Sequence, residues 1–450
     1  MMAPLDQESP SWPGGYEMDM KKQYEEAFRA GQCTVAILAT TEDRKRVGHG
    51  HSSATRRPFH QPPRAPHGRA AGLTDVGDSS SGAVHRGGDL CRSIGVILGL
   101  AVAGILAQPG SALAQATIKF SDDVNLRFGV LLQTWANFEQ QPPSQAYTQE
   151  LFLRRTRFLV GGQVAKDVTF FLQTDASNLG RTTNGVKALT TVFVQDAFIT
   201  IGYVKDQFLD AGLIIPGTSR NTLASTATLL PLDYGVTPFL SSAPTNSNVA
   251  RDLGLQTRGW LAHDHVEYRA AVLEGHRDSL PTNPLRYNVR VQVQLLEPEA
   301  KVVFPADIYL TTTRALAVAA FGEIQDHYHA YTLEAFFSYP LGAWAQLTAQ
   351  ANSITYNGGT TFPALLRQHT YAGEAGLYLT RLKLVPFAHY EVQRHDGTVN
   401  DDLDLNRYQV GLTYYWRGLN ANVKGAWVRV NPNISPSYNQ FTVQLQAFYY

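Results

Sequence analysis

From residue 115 to the end of the chain, apolar and polar residues alternate one by one. Residues 289–295 alternate Val with Arg290, Gln292 and Gln294, and residues 441–449 place Thr or Gln between most of their apolar side chains. Successive side chains of a β-strand point to opposite faces of its sheet, so a period of two predicts strands with two different faces. No long stretch carries the period of a helix. Residues 115–450 are therefore predicted to be all-β.

The length of the strands and the placement of aromatic residues favour a membrane barrel over a soluble sandwich, which would also alternate. Many predicted strands have about ten residues or more, as tilted strands that cross a bilayer must. Aromatic residues gather near strand ends, as in Tyr414–Trp416 and Tyr449–Tyr450, and such residues form the interfacial girdles of membrane barrels. Closing the sheet would also remove edges that lipid cannot satisfy.

The alternation predicts a transmembrane antiparallel β-barrel of 16 strands. Short connections follow most even strands and long connections follow most odd strands, which is typical of periplasmic turns and external loops. This order fails around residues 297–328, where the long connection falls on the short-turn side. The predicted strands are 124–138, 149–163, 167–176, 191–203, 208–216, 249–261, 265–276, 287–297, 313–324, 328–338, 342–356, 367–379, 381–393, 404–416, 420–430 and 440–450.

Residues 85–114 have the layout of a secretory signal peptide. Arg86 and Arg92 precede an apolar run, 94–106, which is 13 residues long and thus shorter than the roughly 20 residues of a membrane-spanning helix. Ala112 and Ala114 then supply the small residues that a signal peptidase needs, which predicts cleavage before Gln115. The alternative is a buried core helix of a soluble protein.

Residues 1–84 are predicted to be a disordered extension, because they are rich in Arg, Pro, His, Ser and Gly and lack apolar periodicity. Two interpretations remain open: a translation start placed too far upstream, or a regulatory or nucleic-acid-binding tail. The two cysteines, Cys33 and Cys91, both precede the cleavage point. The predicted barrel therefore has no disulfide, no Cys nucleophile and no Cys-based metal site.

The longest predicted connection, 217–248, follows the fifth strand. It contains the apolar stretch 223–230 and only two charges, Arg220 and Asp233. A barrel of this size encloses an aqueous lumen, and a loop this apolar is expected to fold inward and narrow it. The alternative is a loop that caps the rim or packs on a neighbouring subunit.

Signals of catalysis and of cofactor binding are weak. The His-x-His pairs at 263–265 and 327–329 lack the further convergent ligands of a metal site. Ser338 and His389 belong to no recognisable nucleophile motif, and no Gly-rich phosphate-binding loop precedes a helix. We expect no catalytic residue, no cofactor, no metal and no nucleic-acid partner for the barrel.

Four segments resemble the phosphate-selective porin O and P family: 151–164 (LFLRRTRFLVGGQV), 196–220 (DAFITIGY followed by AGLIIPGTSR), 251–260 (RDLGLQTRGW) and the final VQLQAFYY. The resemblance extends over essentially all of the predicted barrel. It implies a trimeric porin of a Gram-negative outer membrane, whose third external loop folds into the pore. It also implies ion transport, with anions such as phosphate as the substrate class.

An anion-selective pore needs a basic lining, but residues 115–450 hold 26 Lys and Arg against 27 Asp and Glu. Arg155 and Arg157 share one strand face, although Leu151 and Leu153 share it by parity, which requires a bulge or a position near the rim. The acidic residues expected to share the lumen with the basic ones are Asp175, Glu267, Glu334, Glu374 and Glu391. The predicted pore-lining residues are Arg155, Arg157, Arg220, Arg258, Arg269, Arg290, Lys383, Arg407 and Lys424. Each could instead be a hydrated wall charge with no individual role.

The leading hypothesis is an outer-membrane porin for passive diffusion of small hydrophilic solutes through a lumen narrowed by residues 217–248. Its expected partners are outer-membrane lipid, small solutes or inorganic anions, and two further copies of the chain in a homotrimer. Two other classes remain open. One is a phospholipase-like barrel enzyme, and the other is a non-conducting barrel for adhesion or structure.

Overall fold

The computed structural model describes residues 117–450, apart from 184, 189–191, 243, 246, 248, 278–282 and 398–402. The predicted extension and signal peptide lie outside the described residues. Among the described residues, no helix is long and apolar enough to cross a membrane.

Sixteen long strands form a closed antiparallel barrel, in which each strand pairs with the next along the chain. The first strand also pairs with the last, from Val130↔Tyr449 to Glu139↔Gln440, and this pairing closes the barrel. The predicted fold and the predicted number of strands are confirmed. The strands are Val124–Gln141, Ala146–Ala165, Val168–Asp175, Phe193–Val204, Gln207–Ile214, Asp252–Leu261, Val266–Leu273, Arg286–Gln294, Ala315–Gln325, Tyr328–Leu341, Ala345–Asn357, Gln368–Leu379, Leu384–His395, Leu405–Tyr414, Ala421–Pro432 and Tyr438–Tyr449.

A short strand, Thr117–Ser121, continues the seam between the first and last strands. Thr117 pairs with Arg127 of the first strand, just beyond the pair that Tyr449 makes with Val130. The two ends of the described chain therefore meet at one end of the barrel. The remaining short elements are the strands Thr182–Thr183, Val186–Lys187 and Trp416–Leu419, the helical turn Arg220–Leu223, and the 3-10 turns Thr226–Thr228 and Thr237–Phe239.

The eighth strand shows how the barrel distributes its side chains. Its polar residues, including Arg286 and Arg290, are buried inside the barrel, whereas Tyr287 and Val289 are 50% and 53% exposed on the outer face. A soluble protein has the opposite arrangement. An apolar exterior with a polar interior suits a barrel that is surrounded by lipid.

Tight connections gather at one end of the barrel, which we call the turn end. Two of them hold Asp167 and Asp206 in the left-handed backbone region, at φ 60° and 62°, which Asp tolerates better than most residues. The opposite end, the loop end, carries most of the long connections. One long connection breaks the rule, as the sequence indicates: residues 295–314 leave the eighth strand at the turn end.

Candidate functional site

The described residues between 215 and 251, which we call the inner loop, lie inside the barrel. Ser219 caps the helical turn that starts the loop, because its Oγ accepts a hydrogen bond from the Thr222 N–H at 3.2 Å. The wall then holds the loop at several points. Lys424 Nζ donates to the carbonyls of Leu229 and Pro231 at 2.6 and 2.5 Å. The inward fold predicted from the loop's apolar composition is therefore confirmed.

Two adjacent arginines of the second strand anchor the inner loop through Asp233. Arg154 Nε donates to Asp233 Oδ2 at 2.8 Å, and the Arg155 guanidinium pairs with Oδ1 of the same carboxylate. Burial alone would raise the pKa of Asp233, but the guanidiniums of Arg154 and Arg155 outweigh it and hold the pKa well below its usual range. Asp233 is therefore charged and doubly bound.

A β-bulge explains how both arginines reach the interior. Gln133 of the first strand pairs with Arg155, but the next residue along, Thr134, pairs with Leu153, so Arg154 is extra. A bulge of this kind shifts side-chain parity by one residue. Leu151 consequently faces outward and is 71% exposed, which resolves the parity conflict seen in the sequence.

Residues 295–314, which we call the inner link, enter the barrel from the turn end and meet the inner loop. Arg220 Nη1 and Nη2 donate to the two carboxylate oxygens of Glu299 at 2.8 and 2.6 Å. The Leu230 N–H donates to Asp307 Oδ2 at 2.8 Å, and the Asp307 N–H donates to Thr228 Oγ1 at 3.1 Å. Loop and link thus form one hydrogen-bonded body inside the barrel.

Asp307 of the inner link also faces the carboxylates of the wall. Burial, followed by the nearby charge of Glu374, raises the pKa of Asp307 well above its usual value. Gln350 donates hydrogen bonds to both Asp307 and Glu374 and so bridges them. Asp307 therefore keeps its proton to a higher pH than an ordinary aspartate.

Acidic partners compensate most arginines of the inner wall. Arg157 Nε lies 2.9 Å from Asp175 Oδ2, and Arg258 Nε lies 2.7 Å from Asp210 Oδ2. Most buried arginines of the wall therefore have an acidic partner, in agreement with the nearly zero net charge of the barrel sequence. The remaining pairs of this kind are Arg251–Asp196, Arg269–Glu267, Arg286–Glu323, Arg290–Glu334 and Arg407–Glu391.

The structure brings eight of the nine predicted pore-lining residues to the interior and one to a turn. Arg220 lies in the inner loop, and Arg407 is partly exposed beside Glu391. Lys383 is different: it lies in the connection before Leu384, at φ 55°, with an exposed side chain. Alternation predicts that Lys383 faces the lumen, but the strand begins one residue later, at Leu384. The six others are buried on the inner wall, namely Arg155, Arg157, Arg258, Arg269, Arg290 and Lys424.

Sequence reasoning missed three interior arginines and the acidic partners of these three. Arg154 was hidden by the bulge, and Arg286 stands at the first position of its strand, where the predicted strand began one residue too late. Arg251 lies one residue before its strand begins at Asp252, and the parity that places Arg258 in the lumen would place Arg251 on the opposite face. No sequence signal links Asp233 or Glu299 to the arginines that they meet.

The histidine and serine considered for catalysis have other partners. His389 lies between two carboxylates, with Nδ1 2.9 Å from Glu374 Oε2 and Nε2 3.5 Å from Glu391 Oε2. Ser338 Oγ instead contacts Thr348 Oγ1 at 3.2 Å. Across the described part of the chain, no group of three or more His, Cys, Asp or Glu side chains could hold a metal ion.

A cavity of about 510 Å³ lies between the inner wall near the turn end and the inward segments. Four arginines line it, but no Asp or Glu is among its described lining residues. Aromatic rings form another part of its lining, and Phe171 is at their centre, 5.7 Å from Phe198, 5.6 Å from Phe304 and 5.8 Å from Tyr450 between ring centroids. The four arginines are Arg127, Arg157, Arg251 and Arg258.

The closed barrel, its lipid-compatible exterior and its charged interior define the class: the chain is a sixteen-stranded β-barrel of a Gram-negative outer membrane. Solved structures of outer-membrane proteins share this fold. The chain is similar to the outer membrane channel DcaP of Acinetobacter baumannii, with 10% identity and a TM-score of 0.50, and the match covers 75% of this chain and all of DcaP. It is also similar to Salmonella typhi OmpF in complex with daunomycin, with 14% identity and a TM-score of 0.50 over 74% of this chain and all of OmpF. No protein-family model and no curated protein sequence matches the chain.

Proposed function

We propose that the chain is a porin that passes small hydrophilic solutes across the outer membrane by passive diffusion. The observation that carries the proposal is the polar and charged interior of a closed barrel, which the inner loop narrows. A packed structural barrel would need no row of arginines and carboxylates along its inner wall. Fixed charges of both signs favour an aqueous lumen over an apolar one.

Anions such as phosphate are the solute class that we propose, and an excess of positive charge in parts of the lumen supports it. Arg154 and Arg155 share the single carboxylate of Asp233. The side chain of Arg127 makes no hydrogen bond or ion pair with another described residue, and Lys424 donates its side-chain hydrogen bonds to carbonyls of the inner loop. The resemblance to phosphate-selective porins supports the same class.

The reversal potential in a salt gradient tests the anion proposal. For the full chain in a planar bilayer with a KCl gradient, we expect a reversal potential whose sign shows that chloride is more permeant than potassium. Arg127→Glu should shift it toward cation preference, most strongly at low salt, where screening is weak. Lys166→Glu is the matched control, because Lys166 is exposed in a tight turn at the same end. A cation-selective wild type would refute the anion proposal.

A homotrimer is part of the proposal and rests on the family resemblance. The mass of the detergent-solubilised protein, measured by light scattering with the detergent contribution subtracted, distinguishes three copies from one. The prediction that the chain is not an enzyme stays a prediction. Hydrolysis of phospholipid by the purified protein, abolished by His389→Ala, would contradict it.

A further inference from the structure

The cavity near the turn end has two kinds of wall. Aromatic rings are unexpected on the inner side of a diffusion pore, because lumen-facing positions of such barrels are polar. Here Phe171, Phe198 and Tyr450 all line the cavity. Gly161 makes room for this group, since a Cβ there would collide with the Tyr450 hydroxyl. The opposite lining carries guanidiniums.

Several guanidinium nitrogens of the cavity are still available for a ligand. Arg157 uses Nε for Asp175 and Nη1 for Thr226 Oγ1, so its Nη2 has no hydrogen-bond partner among the described residues. Arg258 uses Nε and Nη2 for Asp210, so its Nη1 also has no hydrogen-bond partner among the described residues. Arg127 is exposed, and its side chain has no hydrogen bond or ion pair to a described residue, so the cavity communicates with solvent.

Size and chemistry together narrow the ligand class. A volume of about 510 Å³ falls within the roughly 300–1,000 Å³ of sites for small organic ligands. Guanidiniums bind carboxylates with paired, charge-assisted hydrogen bonds, and aromatic rings favour a flat apolar body in offset or edge-to-face contact. An inorganic anion would use only the arginines and leave the rings unoccupied.

We propose that this cavity is a binding site for aromatic monocarboxylates that enter from the turn end. Arg127, Arg157 and Arg258 bind the carboxylate, and the rings around Phe171 and Phe304 contact the aromatic body. Aromatic monocarboxylates would then be a substrate class of the proposed pore. Their passage through the barrel rests on the proposed porin function. Binding itself requires only access from the turn end.

Equilibrium binding to the full chain, purified from outer membranes into detergent, tests the site. Benzoate is the probe, and isothermal titration calorimetry measures its dissociation constant. Acetate lacks the ring, inorganic phosphate lacks the apolar body, and benzyl alcohol lacks the charge. We expect benzoate to bind at least tenfold more tightly than each of them. Equal binding of acetate or phosphate would overturn the proposal, because the rings would then contribute nothing.

Two variants separate the arginine and aromatic parts of the site. Arg127→Gln should weaken benzoate binding about tenfold and leave benzyl alcohol unchanged, whereas the control Lys166→Gln should alter neither. Phe304→Leu should reduce the preference for benzoate over acetate. The same loss with Lys166→Gln as with Arg127→Gln would overturn the site, because it would indicate a diffuse charge effect.

Conductance measured on the same preparation without benzoate keeps the two proposals apart. If the protein conducts but does not prefer benzoate, the porin function is supported and the proposed binding site is refuted. If the protein prefers benzoate but does not conduct, the binding site is supported and the porin function is refuted.

Discussion

Arg220 of the inner loop forms a two-point ion pair with Glu299 of the inner link, through Nη1–Oε2 at 2.8 Å and Nη2–Oε1 at 2.6 Å. Arg220 Nη2 also donates to the Ala306 carbonyl at 2.6 Å, and the guanidinium lies 3.4 Å from the centroid of the Phe336 ring. The pair joins a segment that enters from the loop end to one that enters from the turn end. It therefore ties together the two segments that obstruct the lumen.

Breaking this pair should open the lumen. In Glu299→Gln, Arg220 keeps its packing on Phe336 but loses its charged partner, and an unpaired buried charge is strongly unfavourable. In planar bilayers, we expect a larger single-channel conductance, or more frequent transitions to a conductance level above that of the wild type. Glu297→Gln is the matched control, because Glu297 lies two residues away in an exposed pair with Arg314. Equal conductance of the two variants would show that the pair does not hold the obstruction in place.

The Asp233 anchor should contribute strongly to stability. In Asp233→Asn, Arg154 and Arg155 lose their shared carboxylate, and removal of one partner from a buried pair costs about 3–5 kcal/mol. Urea unfolding followed by tryptophan fluorescence measures the loss, again with Glu297→Gln as the control. A loss below about 1 kcal/mol, the size of an exposed pair, would contradict the anchor.

The same anchor should have a defined pH dependence. The folded-state pKa of Asp233 lies below its ordinary value of 3.8, so its contribution is fully present above that value and is lost as the pH falls through the folded-state pKa. The stability difference between wild type and Asp233→Asn should therefore be constant from neutral pH down to about 4 and shrink below it. A difference that shrinks already between pH 7 and 5 would be inconsistent with this assignment.

Leu445 tests the outer face of the barrel. It is 49% exposed on the outside, whereas its neighbour Gln444 is 1% exposed and accepts a hydrogen bond from Trp135 Nε1 at 2.8 Å. Leu445→Arg should cost about 2–4 kcal/mol near the bilayer midplane, measured by urea titration of protein folded into lipid vesicles. Leu445→Ala is the control for lost side-chain volume. If Arg and Ala were equally tolerated at this position, Leu445 would not face lipid.

The export prediction is independent of the barrel. Small residues at Ala112 and Ala114 place the mature N-terminus at Gln115. Mass spectrometry of the protein from an outer-membrane fraction measures it directly. Peptides that begin before Ala107 would contradict the predicted cleavage.

Alternation was sufficient to predict most of the fold. A period of two is a local property, and each barrel strand satisfies it independently. The residues that face the interior follow from the same parity, as Arg157 and Arg258 show. Predicted strand ends differ from the observed ends by a few residues, because turns do not alternate. The sequence indicated a long connection among the short turns, but it did not predict that this inner link enters the lumen.

The partners inside the barrel could not be predicted from local pattern. Arg155 and Asp233 are far apart in the chain, and so are Arg220 and Glu299, and no periodicity connects them. The parity of Leu151 and Leu153 indicated either a bulge or a position near the rim, but the position of the bulge at Arg154 depends on how two strands pair, which a single strand does not reveal. The inward fold of the loop was predictable because its lack of charge is a property of its own composition.

The most direct test of the proposed pore is the single-channel conductance of the purified full chain in a planar lipid bilayer. We predict discrete conductance steps in KCl that increase in proportion to the salt concentration, as expected of a water-filled path. Addition of correctly folded protein that inserts into the bilayer but gives no steps at any voltage, in the wild type and in Glu299→Gln alike, would contradict the porin function.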